Sequence, residues 1–169
     1  MEKNWVVVAN STKAKFFTLA PPAPRLKDSQ SPPYSTEALQ QSRLIEFQAL
    51  EHPEGRLKSQ SIDADRPGRS FESAGMKRHA MSREVDPKKQ EAITFARRVA
   101  ERMEAARRQG ELEHLILVAA PEFLGLLRDN ITSELRRLIE AEFSLDLVQM
   151  SPHEIRGHLP ETLFGTPAK

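Results

Sequence analysis

The chain opens on Trp5-Val6-Val7-Val8-Ala9, apolar at every position. Consecutive side chains of a strand point to opposite faces, so an uninterrupted apolar run predicts a central strand covered on both sides. Asn10-Ser11-Thr12-Lys13 follows as a short polar link, and Ala14-Lys15-Phe16-Phe17-Thr18-Leu19 predicts a second strand. Two strands joined so briefly favour an antiparallel hairpin. Residues 20–42 carry Pro21, Pro22, Pro24, Pro32 and Pro33. Proline lacks the N–H that a central ladder needs, so this stretch predicts a surface excursion. From Leu44 to Leu50 the pattern alternates. Ile45, Phe47 and Ala49 are expected on one face and Glu46 and Gln48 on a wetter one, which predicts a third strand.

Residues 52–84 have no sustained apolar period and carry seven Lys/Arg against five Asp/Glu. Unstructured connections of that length are uncommon and tend to be functional or disordered. Beyond them the helix signals resume. Asp86 can cap and Pro87 can open a long helix, whose apolar side is Ile93, Ala96, Val99, Ala100, Met103 and Ala106 and whose end falls at Gly110. Leu115 to Ala119 predicts a buried strand. Pro121 opens a second long helix with the stripe Leu124, Leu127, Ile131, Leu135, Leu138 and Ile139. Leu145, Leu147 and Met150 predict a last strand, and Ser151-Pro152-His153-Glu154 reads as a capping box opening a short helix toward Leu159. Residues 160–169 are expected to fray. The order β-β-β-α-β-α-β-α predicts an α/β fold: a mixed sheet of about five strands, antiparallel first and then joined by right-handed parallel crossovers, with helices packed on it. One domain over 1–169 with a long loop at 52–84 accommodates this order.

A length of 169 residues suits one domain, and a chain of that size buries about 70% of its unfolded surface. Lys and Arg number 25 against 24 Asp and Glu, a net charge of +1. A dedicated electrostatic nucleic-acid binder would carry a large basic excess, which leaves room here only for a local basic patch. There is no cysteine, which excludes disulfides, a thiol nucleophile and Cys-ligated metal. The first residues lack the apolar core of a signal peptide, and no stretch approaches the roughly 20 apolar residues of a membrane span. A cytoplasmic location is the expectation.

Candidate chemistry concentrates in the long loop. Arg66, Arg69, Lys77, Arg78 and His79 stand among Gly68 and Gly75. Arginine offers paired donors to phosphate and glycine lets backbone N–H groups approach, so the loop fits phosphate or RNA; it fits a protein partner equally. The plainer reading is an exposed loop with ion pairs to Asp63, Asp65 and Glu72. Long polar loops carry function more often than helices do. The spacing of Gly68 and Gly75 matches neither a phosphate-binding loop nor a dinucleotide fingerprint, so no nucleotide or other cofactor is expected. Two-metal hydrolysis needs converging carboxylates, and the first strand has none; Asn10 is at best a weak ligand. His153 and His158 are five apart rather than one helical turn, and with His52, His79 and His114 they read as solvated or cap-adjacent. Ser70, Ser73 and His79 lack a nucleophile elbow. These absences lean against an enzyme. Arg97, Arg98, Arg102, Arg107 and Arg108 lie with Glu101 and Glu104 at i+3 and i+4 spacings, which predicts a paired, solvated helix face. Placed beside the loop, that face would form a composite basic patch.

Three stretches carry a resemblance. They are Trp5-Val6-Val7-Val8-Ala9 with Ala14-Lys15-Phe16-Phe17; Asp65-Arg66-Pro67-Gly68-Arg69-Ser70-Phe71-Glu72-Ser73-Ala74-Gly75 with Arg78-His79-Ala80-Met81; and Leu117 through Arg128, continuing to Asp146-Leu147 and Pro152-His153-Glu154-Ile155. Together they resemble the bacterial host-attachment protein family, whose name records an association with attachment to host cells and not a chemistry. The family is more distantly similar to the middle domain of archaeal and eukaryotic translation release factors, which implies an RNase H-like mixed sheet. Fold analogy does not carry function. The relatives that hydrolyse peptidyl-tRNA use a Gly-Gly-Gln tip, and this chain has no Gly-Gly.

The expectation is a non-enzymatic binding or adaptor protein acting through residues 63–81. Asp65, Arg66, Pro67, Gly68, Arg69, Phe71, Gly75, Arg78 and His79 are its candidate binding residues, and its partner is a protein or ribosomal or transfer RNA. A ribosome- or tRNA-associated factor is the alternative. A metal-dependent nuclease or phosphodiesterase is a weaker one, and it requires an acidic cluster at the carboxyl end of the sheet.

Overall fold

The structure, a computed structural model, describes residues 3–21, 42–52 and 86–164. Its elements are β1 (Asn4–Ala9), β2 (Lys13–Ala20), β3 (Arg43–Glu51), α1 (Pro87–Arg108), β4 (His114–Ala119), α2 (Pro121–Asn130), the single turn α3 (Ser133–Arg136), β5 (Ile139–Ser144) and α4 (Pro152–Gly157). The strands form one mixed sheet in the order β3-β2-β1-β4-β5. β1 is central, antiparallel to β2 with Trp5 opposite Thr18, and parallel to β4 with Trp5 opposite Leu115. The mixed five-stranded α/β arrangement expected from the element order is therefore present.

The apolar run of β1 follows from having a core on each face. Trp5, Val7, Phe16 and Leu117 pack under α1 and α2, against Phe95, Val99, Met103 and Leu127. Val6, Val8, Phe17, Ile116 and Val118 face α4 and its flanks, against Leu147, Val148, Ile155, Leu159 and Leu163. Local signals set the helix ends. The Asp86 carboxylate accepts the Lys88 N–H at 3.1 Å, and Gly110 takes φ 72°. That left-handed residue lets Glu111 N–H reach Ala106 O at 2.9 Å and Gly110 N–H reach Arg107 O at 3.1 Å, a Schellman closure. At α4 the capping box is complete: Ser151 Oγ accepts from Glu154 N–H and Glu154 Oε2 accepts from Ser151 N–H.

Three local expectations fail. The second long helix does not run to Ile139; α2 stops at Asn130, and Ile131 is extended at φ −84°, ψ 132°. Thr132 then starts α3 as its cap, accepting from Leu135 N–H at 3.2 Å. Ile131 and Leu135 remain buried, so the apolar stripe survives a break that threonine and serine favour by capping. The last strand is Ile139–Ser144 and not the stretch around Leu145 to Met150; Leu147 and Val148 are buried in the connection after it. In β3, Gln48 lies opposite Phe16 and Glu46 opposite Phe17, so Phe47 is the extra residue of a bulge. Two residues against one turn both Phe47 and Gln48 to the α1 side. Leu44 is then the buried member of the strand, Ala49 faces the α4 side opposite Lys15, and Ile45 and Phe47 are half-exposed.

Arg156 is the one buried charged residue among the described residues. Its guanidinium donates to four carbonyls: Nε to Ser42 O at 2.9 Å, Nη1 to Pro160 O at 2.8 Å and, more weakly, to Leu159 O at 3.4 Å, and Nη2 to Glu161 O at 2.8 Å. Burial pushes its pKa below the usual arginine value. The bonds tie the residues after α4 to the start of β3.

Candidate functional site at the carboxyl end of the sheet

The carboxyl ends of β1, β4 and β5 lie at the same edge of the sheet as the start of β2 and the end of β3. His52 N–H donates to Thr12 O at 2.8 Å, which fastens the end of β3 to the β1–β2 turn. The contacts of α1 give its direction. Arg102 reaches Gln48 Oε1 at 2.7 Å, and one turn earlier Arg98 reaches Glu51 O at 3.4 Å. Toward its N-terminus α1 therefore climbs past the end of β3, and Pro87 to Arg98 spans about 16 Å at 1.5 Å per residue. His52 and Asp86, the described residues on either side of 53–85, both belong to this end. In open α/β sheets ligands bind outside the carboxyl ends of the strands.

Asn10 organises the turn. Its Oδ1 accepts from Thr12 N–H at 3.0 Å, Thr12 Oγ1 at 2.9 Å and Lys13 N–H at 3.0 Å, and its Nδ2 donates to Asp146 Oδ1 at 3.3 Å. An asparagine bonded at both ends closes a turn in the way such residues do, and its oxygen is already used. Beside it, the His52 ring stacks on Phe95 with centroids 5.5 Å apart, and Phe95 lies 5.8 Å from Phe123 at the start of α2. His52 Nε2 is buried without a hydrogen-bond partner among the described residues. No three His, Asp or Glu residues gather as a metal-holding group among the described residues.

Residues 5–159 match the model of a protein family described as "Protein required for attachment to host cells". The chain belongs to that host-attachment family. An uncharacterized protein of Rickettsia prowazekii (strain Madrid E) is 32% identical over 101 residues, which covers 59% of this chain and 62% of that protein. The chain thus matches less than two thirds of the relative's length. The family match begins in β1 and ends just past α4, so it takes in the whole sheet and its carboxyl end.

In this host-attachment protein the residues picked from sequence as binding residues, Asp65, Arg66, Pro67, Gly68, Arg69, Phe71, Gly75, Arg78 and His79, lie outside the described residues. The arginines of α1 divide into three groups. Glu104 takes Arg107 at 2.6 Å, Arg108 at 3.1 Å and the Thr132 hydroxyl at 3.0 Å. The Arg107 guanidinium, more than any other group, holds the Glu104 carboxyl down to about 2 from 4.5, against a smaller opposing effect of burial. That pairing was expected. Arg98 and Arg102 instead lean on β3 and form no ion pair among the described residues. Arg97, with Lys88 and Lys89, is exposed and likewise unpaired among the described residues. Of the histidines expected to be solvated, His114 pairs through Nδ1 with Glu140 and His52 is stacked and half-buried. Sequence reasoning missed the His52–Phe95–Phe123 row and the Arg156 clamp, because neither histidine nor arginine announces its burial. No helix among the described residues is long and apolar enough to cross a membrane.

Proposed function

We propose that this host-attachment protein is a non-enzymatic binding or adaptor protein that takes hold of a macromolecular partner through residues 63–81. Its contact residues in this reading are Asp65, Arg66, Pro67, Gly68, Arg69, Phe71, Gly75, Arg78 and His79. One observation supports it above the rest: His52 and Asp86, which bracket the segment in sequence, both stand at the carboxyl end of the sheet. A polar, arginine-bearing segment anchored there is suited to binding without a catalytic constellation of its own. A cytoplasmic location belongs to the same proposal; the cysteine-free composition suits a reducing compartment. Replacing Arg66, Arg69 and Arg78 together by Ala is expected to leave the melting temperature unchanged and to abolish partner capture in a pull-down. Undiminished capture by the triple variant removes the segment from the account.

A second reading, association with ribosomal or transfer RNA, draws on Lys88, Lys89 and Arg97, exposed cations near the same end. Co-sedimentation with ribosomes that weakens steeply as salt rises is its signature, because phosphate contacts release counterions. Absence of co-sedimentation at low salt ends that reading. The metal-dependent phosphodiesterase gains no support, since among the described residues Asp146 is bonded to Asn10 and no acidic group of three gathers.

A further inference from the structure

The flank where α1 meets the edge strand β3 carries chemistry of its own. Ile45 and Phe47 are 46% and 43% exposed, and both face the α1 side. Ile45 stands opposite Thr18, which stands opposite Trp5; the Phe47 ring meets Trp5 edge-on with centroids 4.8 Å apart. Side chains two apart on a strand lie about 7 Å from one another, so the pair makes a continuous apolar strip. Arg98 and Arg102 border it from α1, one turn apart. Arg102 lies 5.0 Å over the Trp5 ring and bonds Gln48; among the described residues Arg98 bonds a backbone carbonyl, Glu51 O. Of the neighbouring carboxylates, Glu46 leans to Lys15 at 4.0 Å, Glu51 pairs with Lys13 at 3.1 Å and Glu104 holds Arg107 and Arg108. Glu101, three residues after Arg98, forms no ion pair with either arginine among the described residues. Among the described residues, this leaves at the sheet's edge an exposed apolar strip bordered by two arginines that form no ion pair. Exposed apolar patches on a soluble domain mark interaction sites.

We propose that this flank docks an extended protein segment in which apolar and carboxylate side chains alternate. The apolar side chains would lie along Ile45 and Phe47, and the carboxylates would meet the guanidinium groups of Arg98 and Arg102, a geometry that arginine suits. Charge selects this occupant over others. Nucleic acid demands many phosphate contacts and stacking rings, whereas the strip offers two arginines, one exposed ring and an aliphatic Ile45 on a chain of net charge +1. The strip includes none of residues 63–81, and the proposal does not rest on their role.

The test titrates the isotope-labelled full chain with a short synthetic peptide of alternating aspartate and leucine, followed by amide chemical shifts. Saturating shifts at Ile45 to Gln48 and at Arg98 to Arg102 are expected. Phe47→Ser and Arg98→Gln should each weaken binding roughly tenfold while circular dichroism shows both variants folded, and the Arg66, Arg69 and Arg78 triple variant should bind as well as the parent. A lysine–leucine peptide binding as tightly, oligouridylate shifting the same amides more strongly, or no saturation at millimolar peptide overturns the proposal.

Discussion

Replacing Arg156 by Met keeps the bulk of the side chain and removes its donors. Three carbonyls, of Ser42, Pro160 and Glu161, lose short bonds of 2.8 to 2.9 Å, and Leu159 O loses a long one of 3.4 Å that adds little. Hydrogen bonds to a charged donor contribute about 1.5–3 kcal/mol each, but burying a guanidinium without a carboxylate partner itself costs several kcal/mol, and the Met variant is relieved of that cost. What remains is the penalty of three carbonyls left short of a donor, about 1 kcal/mol each and so about 3 kcal/mol in all. For a domain of this size that corresponds to a fall in Tm of about 6–12 °C. Thermal melting followed by circular dichroism, with urea denaturation to check that the slope is unchanged, measures it. Arg156→Lys keeps the charge but cannot reach three carbonyls in different directions, so it should recover less than half of the loss. A loss below about 1 kcal/mol for the Met variant would refute the view that Arg156 fastens the residues after α4 to β3.

Two further perturbations follow from the same structure. Glu104 has its carboxyl held at about 2 rather than 4.5, and a lowered carboxylate pKa stabilises the fold above the unfolded value and loses that contribution as pH falls through the folded one. The stability gap between the parent and Glu104→Gln, from urea denaturation at a series of pH values, should be constant above about pH 4.5 and close toward pH 2; a gap independent of pH contradicts the pairing. Gly110→Ala meets no neighbouring atom but must hold φ 72°, so a loss of about 1–2 kcal/mol is expected from backbone strain alone. An unchanged stability would show that α1 can end without the left-handed residue.

What the sequence made legible was local. The apolar run of β1, the Asp86-Pro87 start and Gly110 end of α1, and the Ser151–Glu154 box each depend on residues a few positions apart, and each is found as expected. The misplaced elements are those in which tertiary pairing overrode a local pattern. Apolar spacing continues unbroken through Ile131 and Thr132, although the helix does not. β5 places Glu140 and Glu142 on a sheet edge, where β4 supplies the ladder and Arg128 pairs with Glu142. The bulge at Phe47 exists only relative to Phe16 and Phe17 on β2, so nothing in β3 itself announces it. At the carboxyl end, the polar turn was visible, but the role of Asn10 as its hydrogen-bonding centre needed Thr12 and Asp146 in place.

The central claim is that a partner sits at the carboxyl end of the sheet, against residues 63–81. Photo-cross-linking in native lysate tests it most directly, with p-benzoylphenylalanine placed at Phe71, at Lys88 in the first turn of α1, and at Arg137 next to the start of β5 at the opposite end of the sheet. The account predicts one and the same adduct from Phe71 and Lys88 and none from Arg137. Adducts from Arg137 with none from Phe71 and Lys88 would contradict it.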